Sequence, residues 1–223
     1  MSAAGLARRP VVVSWSGGKD ATLALHRATR AGAVPRALVT MLVEGGERSR
    51  SHGLRRAVLE AQAAALDLPL VARATSWGGY EAAFVDALGE CASLGIADAV
   101  YGDLDVDEHR AWVERVSARA GLRAHLPLWR ADRAAVVAEV ERVGIDARVV
   151  AVRDGVLPRD LLGRRVDAAL AAEVVALGAD ACGEAGEYHT VVADAPGFAR
   201  PVPLVPGEAV LRDGVWFLDV EPG

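Results

Sequence analysis

Between residues 11 and 126 short strand-like segments alternate with segments of helical period, and this alternation restricts the fold more than any other feature. Val11–Trp15, Ala37–Val43, Leu70–Thr75, Ala97–Tyr101 and Arg123–Leu126 read as strands. Asp20–Ala31, Leu54–Leu66, Tyr80–Leu94 and Glu108–Ala120 read as helices. Gly32, Gly95 and Gly121 follow three of them, and glycine readily takes the left-handed conformation that ends a helix. A strand that feeds a helix and returns to a parallel strand does so by a right-handed crossover. The expected fold class is therefore α/β, a parallel doubly wound Rossmann-like sheet with both faces covered. Ligands of such sheets sit at the carboxyl ends of the strands, where strand order reverses.

After Pro127 the pattern changes. A helix over Ala131–Val143, a strand over Ala147–Val152, a helix over Asp167–Leu177 and a strand over Tyr188–Ala193 are expected. Val210–Arg212 and Val215–Phe217 then flank Asp213-Gly214, a strong hairpin signal. The expected division is a domain over residues 1–126 and a smaller α+β domain over 127–223.

The 223 residues carry a net charge of −5 and show no basic stripe, which argues against nucleic acid as a partner. No apolar run approaches the ~18 residues a membrane helix needs, and a cytoplasmic, membrane-free protein is expected. Two distant cysteines, Cys91 and Cys182, form no C-x-x-C motif and no zinc-ligand set. Nothing in the sequence fixes an oligomeric state.

Of 25 basic residues only Lys19 is a lysine. In a chain so biased to arginine, the surviving lysine marks a place where a compact ammonium serves and a planar fork does not. It lies in Val11-Val12-Val13-Ser14-Trp15-Ser16-Gly17-Gly18-Lys19-Asp20, a strand, a glycine turn and a helix start. Two glycines allow close backbone approach, and the helix N-terminus is an anion site. A Walker loop would need glycine at Val13 and Ser or Thr at Asp20, and a dinucleotide fingerprint is absent. A carboxylate beside phosphates needs a cation between them, so Asp20 points to Mg²⁺. Ser14, Ser16, Gly17, Gly18, Lys19 and Asp20 are the expected nucleotide-binding residues. The S-G-G-K-D wording resembles the PP-loop of the adenine-nucleotide α-hydrolase superfamily, which implies ATP cleaved between its α and β phosphates. The serine usual after the aspartate is replaced by Ala21, with Thr22 next.

Tyr101-Gly102-Asp103 ends the fourth strand, so Gly102 and Asp103 join the expected nucleotide site. Asp105 and Glu108 have capping-box spacing, and His52 precedes the second helix. Late in the chain, Cys182-Gly183-Glu184-Ala185-Gly186-Glu187-Tyr188-His189-Thr190 places acids and a histidine on a glycine-broken turn. If the strand begins at Glu187, then Glu187 and His189 share a face and can shuttle a proton. The segment resembles the G-E-G-G-E-(Y/F)-x-T signature of the diphthine–ammonia ligase family, with Ala185 in place of a glycine. Gly102-Asp103, Arg110, Pro127-Leu128-Trp129, Leu162-Gly163-Arg164, Asp167 and Ala195-Pro196-Gly197-Phe198 follow that family's order, and the wording is closest to its bacterial branch. The resemblance implies an AMP-forming ligase that adenylates a carboxylate and passes ammonia to it, with ATP and Mg²⁺. Lys19, Glu187 and His189 are then the expected catalytic residues, and Glu184, Glu187 and Thr190 the substrate residues. A tRNA thiolase and a non-catalytic ATP-binding module are the alternatives.

Overall fold

The computed structural model describes residues 5–223. Five parallel strands form the first sheet: Pro10–Ser14 (β1), Val34–Leu42 (β2), Leu70–Ala74 (β3), Asp98–Val100 (β4) and Arg123–His125 (β5), in the order β3-β2-β1-β4-β5. The order reverses between β1 and β4, which pair from Val11↔Asp98 to Val13↔Val100. The chain leaves these two strands in opposite directions, and a crevice opens at their carboxyl ends.

Helices Lys19–Arg30 (α1), Arg56–Ala65 (α2), Tyr80–Ser93 (α3) and Asp107–Arg119 (α4) follow the first four strands. Side chains of β1 alternate between two cores. Val11 and Val13 pack with Leu23 of α1 and Leu59 of α2, whereas Val12 packs with Phe84 of α3 and Val113 of α4. All three valines are fully buried, so a continuous apolar run is what a sheet covered on both faces requires.

The later region holds Asp146–Arg153 (β6), Tyr188–Asp194 (β7), Leu204–Arg212 (β8) and Val215–Pro222 (β9), an antiparallel sheet in the order β7-β6-β9-β8. Asp213 and Gly214 both take positive φ, 49° and 75°, as a type I′ turn demands. Helices Arg133–Arg142 (α5) and Ala168–Ala176 (α6) are capped by Asp132 and Asp167, each accepting a backbone N–H at 2.8 Å. The core that covers Val11 and Val13 runs on without a break through Val136 of α5, Val149 of β6 and Val191 of β7. Helices α1 and α2 therefore touch both sheets.

Two local expectations need correction. Helix α2 starts at Arg56, not Leu54, because residues 42–55 close into isolated bridges (Leu42↔Ser49, Arg48↔Arg55) and the Leu54 N–H donates to Ser49 Oγ at 3.0 Å. Asp105 does not cap α4: the cap position is Val106, which offers no side-chain acceptor. The Asp105 carboxylate instead grips Arg133. Among the described residues no helix is long and apolar enough to cross a membrane.

Candidate active site

The glycine loop leaves β1 at the crevice and is held from behind. Trp15 Nε1 donates to Gln62 Oε1 at 3.0 Å, and Gln62 Nε2 donates to Gly17 O at 3.0 Å and to Val192 O at 2.7 Å. The Val192 N–H reaches Gly17 O at 2.9 Å. Gly17 has φ of +79°, and a Cβ there would lie 2.8 Å from Gln62, Leu54 and Leu59. A Cβ on Gly18 would lie 2.4 Å from His52 Cε1. Both glycines are thus demanded by the protein's own packing around the loop.

The turn before β7 closes on this loop. Lys19 Nζ donates to Cys182 O at 2.6 Å and to Asp20 Oδ2 at 2.7 Å, and lies 5.1 Å from the centre of the Tyr188 ring. The Lys19 backbone N–H donates to Thr190 Oγ1 at 3.0 Å. Lys19 is buried. Burial alone would depress its pKa, but the Asp20 carboxylate overrides this and holds the ammonium charged. Asp20 Oδ1 is buried without a partner.

A cavity of about 540 Å³ lies in front of the loop. Ser14, Ser16, Lys19, Asp20, Gly102, Asp103, Glu184, His189 and Thr190 line it, as does His52. Gly17 and Gly18 stand behind its wall. Gly102 serves backbone approach within the protein, since a Cβ there would lie 2.8 Å from Ala21 N. Glu187 departs from expectation. β7 begins at Tyr188, the Glu187 carboxylate turns away from the cavity, and its Oε1 accepts the Asp180 N–H at 3.4 Å. The Glu187–His189 proton pair is therefore not formed.

Glu184 takes the place over the cavity. Its Oε1 accepts the Leu104 N–H at 3.1 Å. Burial pushes its pKa up to about 7, the Leu104 bond works against this, and Asp20 and Asp103 add to it. Burial also raises Asp103, whose Oδ1 lies 3.6 Å from His109. His52 and His189 stack with centroids 4.7 Å apart. His52 Nδ1 is 2.7 Å from Thr190 O, so it carries the proton and leaves Nε2 as an acceptor. Burial lowers both imidazoles.

Sequence reading missed the aromatic arm of the cavity. Trp77, Tyr80, Phe84 and Trp112 line it, and the Arg50 guanidinium lies 4.5 Å from the Trp77 ring centre. It also missed Gln62, whose signal was a polar residue three positions after Leu59 on an otherwise apolar helix face. Among the described residues no three potential protein ligands gather as a metal site.

Residues 9–124 match the diphthamide synthase N-terminal domain, and residues 132–220 match the diphthamide synthase C-terminal domain. The chain belongs to the diphthamide synthase family. Within diphthamide synthases the two matched regions correspond here to the parallel sheet and the antiparallel sheet, and the stretch between them joins β5 to α5. A diphthine–ammonia ligase of Danio rerio is similar, 32% identical over 118 residues. That match spans 51% of this chain and 46% of the relative, about half of each.

Proposed function

We infer that this chain is an ATP-dependent carboxylate–ammonia ligase that releases AMP and pyrophosphate. One observation carries the reading: the acid-bearing turn before β7 is fastened onto the glycine loop through Lys19 Nζ and Cys182 O. Nucleotide and acceptor can then share one cavity with that turn as part of its wall. An acyl-adenylate hydrolyses in water, so its formation needs such cover.

In this reading the triphosphate lies at the N-terminus of α1, beside Ser14, Ser16 and the Gly17-Gly18 turn. Lys19 adds fixed positive charge. Two of its three N–H donors are committed to Asp20 and Cys182, which leaves one for a phosphate oxygen. Asp20, whose buried Oδ1 lacks a partner, would hold Mg²⁺. The ion would supply charge neutralisation between Asp20 and the nucleotide. A carboxylate oxygen of the acceptor attacks the α phosphorus and pyrophosphate leaves. Ammonia then attacks the acyl carbon, the C–N bond forms and AMP leaves. The proton shed by the amine passes to Glu184, whose pKa of about 7 suits a group that takes and returns a proton near neutrality. The neutral imidazoles of His52 and His189 offer lone pairs to the amine hydrogens.

Thiol chemistry of the thiolase kind is disfavoured. Burial pushes Cys91 up to about 11 and Cys182 up to about 12, and the thiolate is the reactive form. The test is incubation with ATP, Mg²⁺, ammonium chloride and a panel of carboxylic acids, with the nucleotide product resolved by chromatography. AMP and pyrophosphate formed only with both acid and ammonium support the ligase. ADP and phosphate would overturn it.

A further inference from the structure

The turn that carries Glu184 lies outside the helices and strands, yet its carboxylate meets the backbone of Leu104, 80 residues earlier. A closed ring of polar contacts explains how. Arg133, the first residue of α5, grips Asp105 with a fork: Nη2 to Oδ1 at 2.7 Å and Nε to Oδ2 at 3.1 Å. Its third nitrogen, Nη1, reaches Asp180 Oδ2 at 2.6 Å. Asp180 in turn shapes the turn. Its Oδ1 accepts the Cys182 N–H at 3.0 Å and its Oδ2 accepts the Glu184 N–H at 2.7 Å. Glu184 closes the ring at Leu104, the neighbour of Asp105.

We propose that Arg133 and Asp180 are positioning residues that set the Glu184 carboxylate in register with the cavity. Asp180 has a side chain only 6% exposed, whereas Arg133 and Asp105 are 37% and 34% exposed. Ion pairs this exposed add little to stability, so the role that fits them is geometric. The guanidinium spans the two carboxylates through three separate nitrogens, two of them paired on Asp105. A lysine at 133 would have to reach both partners from one nitrogen and would lose the fork on Asp105. The ring ties three segments that sequence separates: the loop after β4, the start of α5 and the turn before β7. That Glu184 acts on the amine rests on the ligase reading; that Arg133 sets its position does not.

Amide hydrogen exchange measured by NMR tests the ring without any substrate. In Arg133→Met the Leu104, Cys182 and Glu184 amides should exchange about tenfold faster or more, the scale of a lost hydrogen bond to a charged group. Val12 and Val191, in the strand cores, should exchange as in the parent. Arg133→Lys should give intermediate exchange at the same three amides. Unchanged protection at Leu104 in Arg133→Met, or full protection in Arg133→Lys, would overturn the proposal. If Arg133→Met does not fold, Asp105→Asn opens the same ring at its other end and is read at the same amides. Affinity for an ATP analogue with a methylene between its α and β phosphates should stay within about twofold, while AMP formation falls. A parent protein that forms no AMP defeats the ligase reading and leaves the exchange result to decide the ring.

Discussion

Lys19 Nζ sits 2.6 Å from the carbonyl oxygen of Cys182, 163 residues further along the chain. Lys19→Met would leave that carbonyl and the Asp20 carboxylate without their donor. Breaking a buried pair on one side costs about 3 kcal/mol, so the urea midpoint should fall and nucleotide binding should fall with it. Lys19→Arg should recover little of either, because a planar fork does not fit below the Tyr188 ring. Parental stability in Lys19→Met would show that this contact contributes nothing.

Glu184 and Glu187 should respond differently to loss of charge. Glu184→Gln removes the acid over the cavity and should lower amide formation by roughly 10²–10⁴-fold, the range for a general acid–base group. Glu187→Gln faces Asp180 N rather than the cavity and should change turnover less than about threefold on the same scale. Single-turnover rates for both variants decide the point, and the opposite ranking would restore Glu187 to the mechanism.

The pH dependence of Glu184 follows from its raised pKa. Between its ordinary value of 4.5 and about 7 the folded protein binds a proton that the unfolded chain has lost. Stability from this group is therefore present below the unfolded pKa and declines as pH rises through about 7. A rate that needs the anion should rise across the same window. Glu184→Gln should flatten both profiles, and a persistent limb near pH 7 in that variant would assign the titration to another group.

His52 and His189 carry the reverse sign. Their folded pKa values lie below the ordinary 6.5 because burial disfavours the cation. Above 6.5 both states are neutral. As pH drops below 6.5 the unfolded chain takes up protons first, and stability is lost. Nitrogen-15 spectra should show His52 mainly as the Nδ1–H tautomer at pH 6.5, where a solvated imidazole is half protonated, and a half-formed imidazolium signal there would contradict the structure.

Asp20→Asn should keep the Lys19 contact as a weaker bond and raise the magnesium concentration needed for half-maximal AMP formation by about tenfold, the effect of roughly 1.4 kcal/mol of lost attraction. Titration with and without EDTA reads it directly. An unchanged magnesium requirement would remove Asp20 from the metal's surroundings.

Much of the fold was legible because parallel strands buried on both faces announce themselves as apolar runs, as Val11–Val13 do, and because glycines mark helix ends. The glycine loop at the crevice was legible through its single lysine. The turn at 182–190 was legible as a place of acids and glycines, but not in its orientation. β7 begins at Tyr188, so Glu187 lies outside the strand, where side-chain alternation no longer holds it beside His189, and it turns to Asp180 instead. Gln62, Arg133 and Asp180 went unassigned for another reason. Each is an ordinary residue where it stands, Gln62 and Arg133 on helices and Asp180 in the segment before β7, and its role lies in a partner 28 or more residues away: Gly17 for Gln62, Asp105 and Asp180 for Arg133, Arg133 for Asp180. Local pattern cannot report a tertiary pairing.

Because α1 and α2 pack against both sheets in one uninterrupted core, a clamshell opening between the sheets would have to expose buried valines and leucines to water. At the rim of the cavity, by contrast, Trp77 stands 74% exposed, and an exposed indole changes rotamer on the fast timescale of side chains rather than the slow one of domains. Scattering profiles recorded with and without nucleotide should then superimpose.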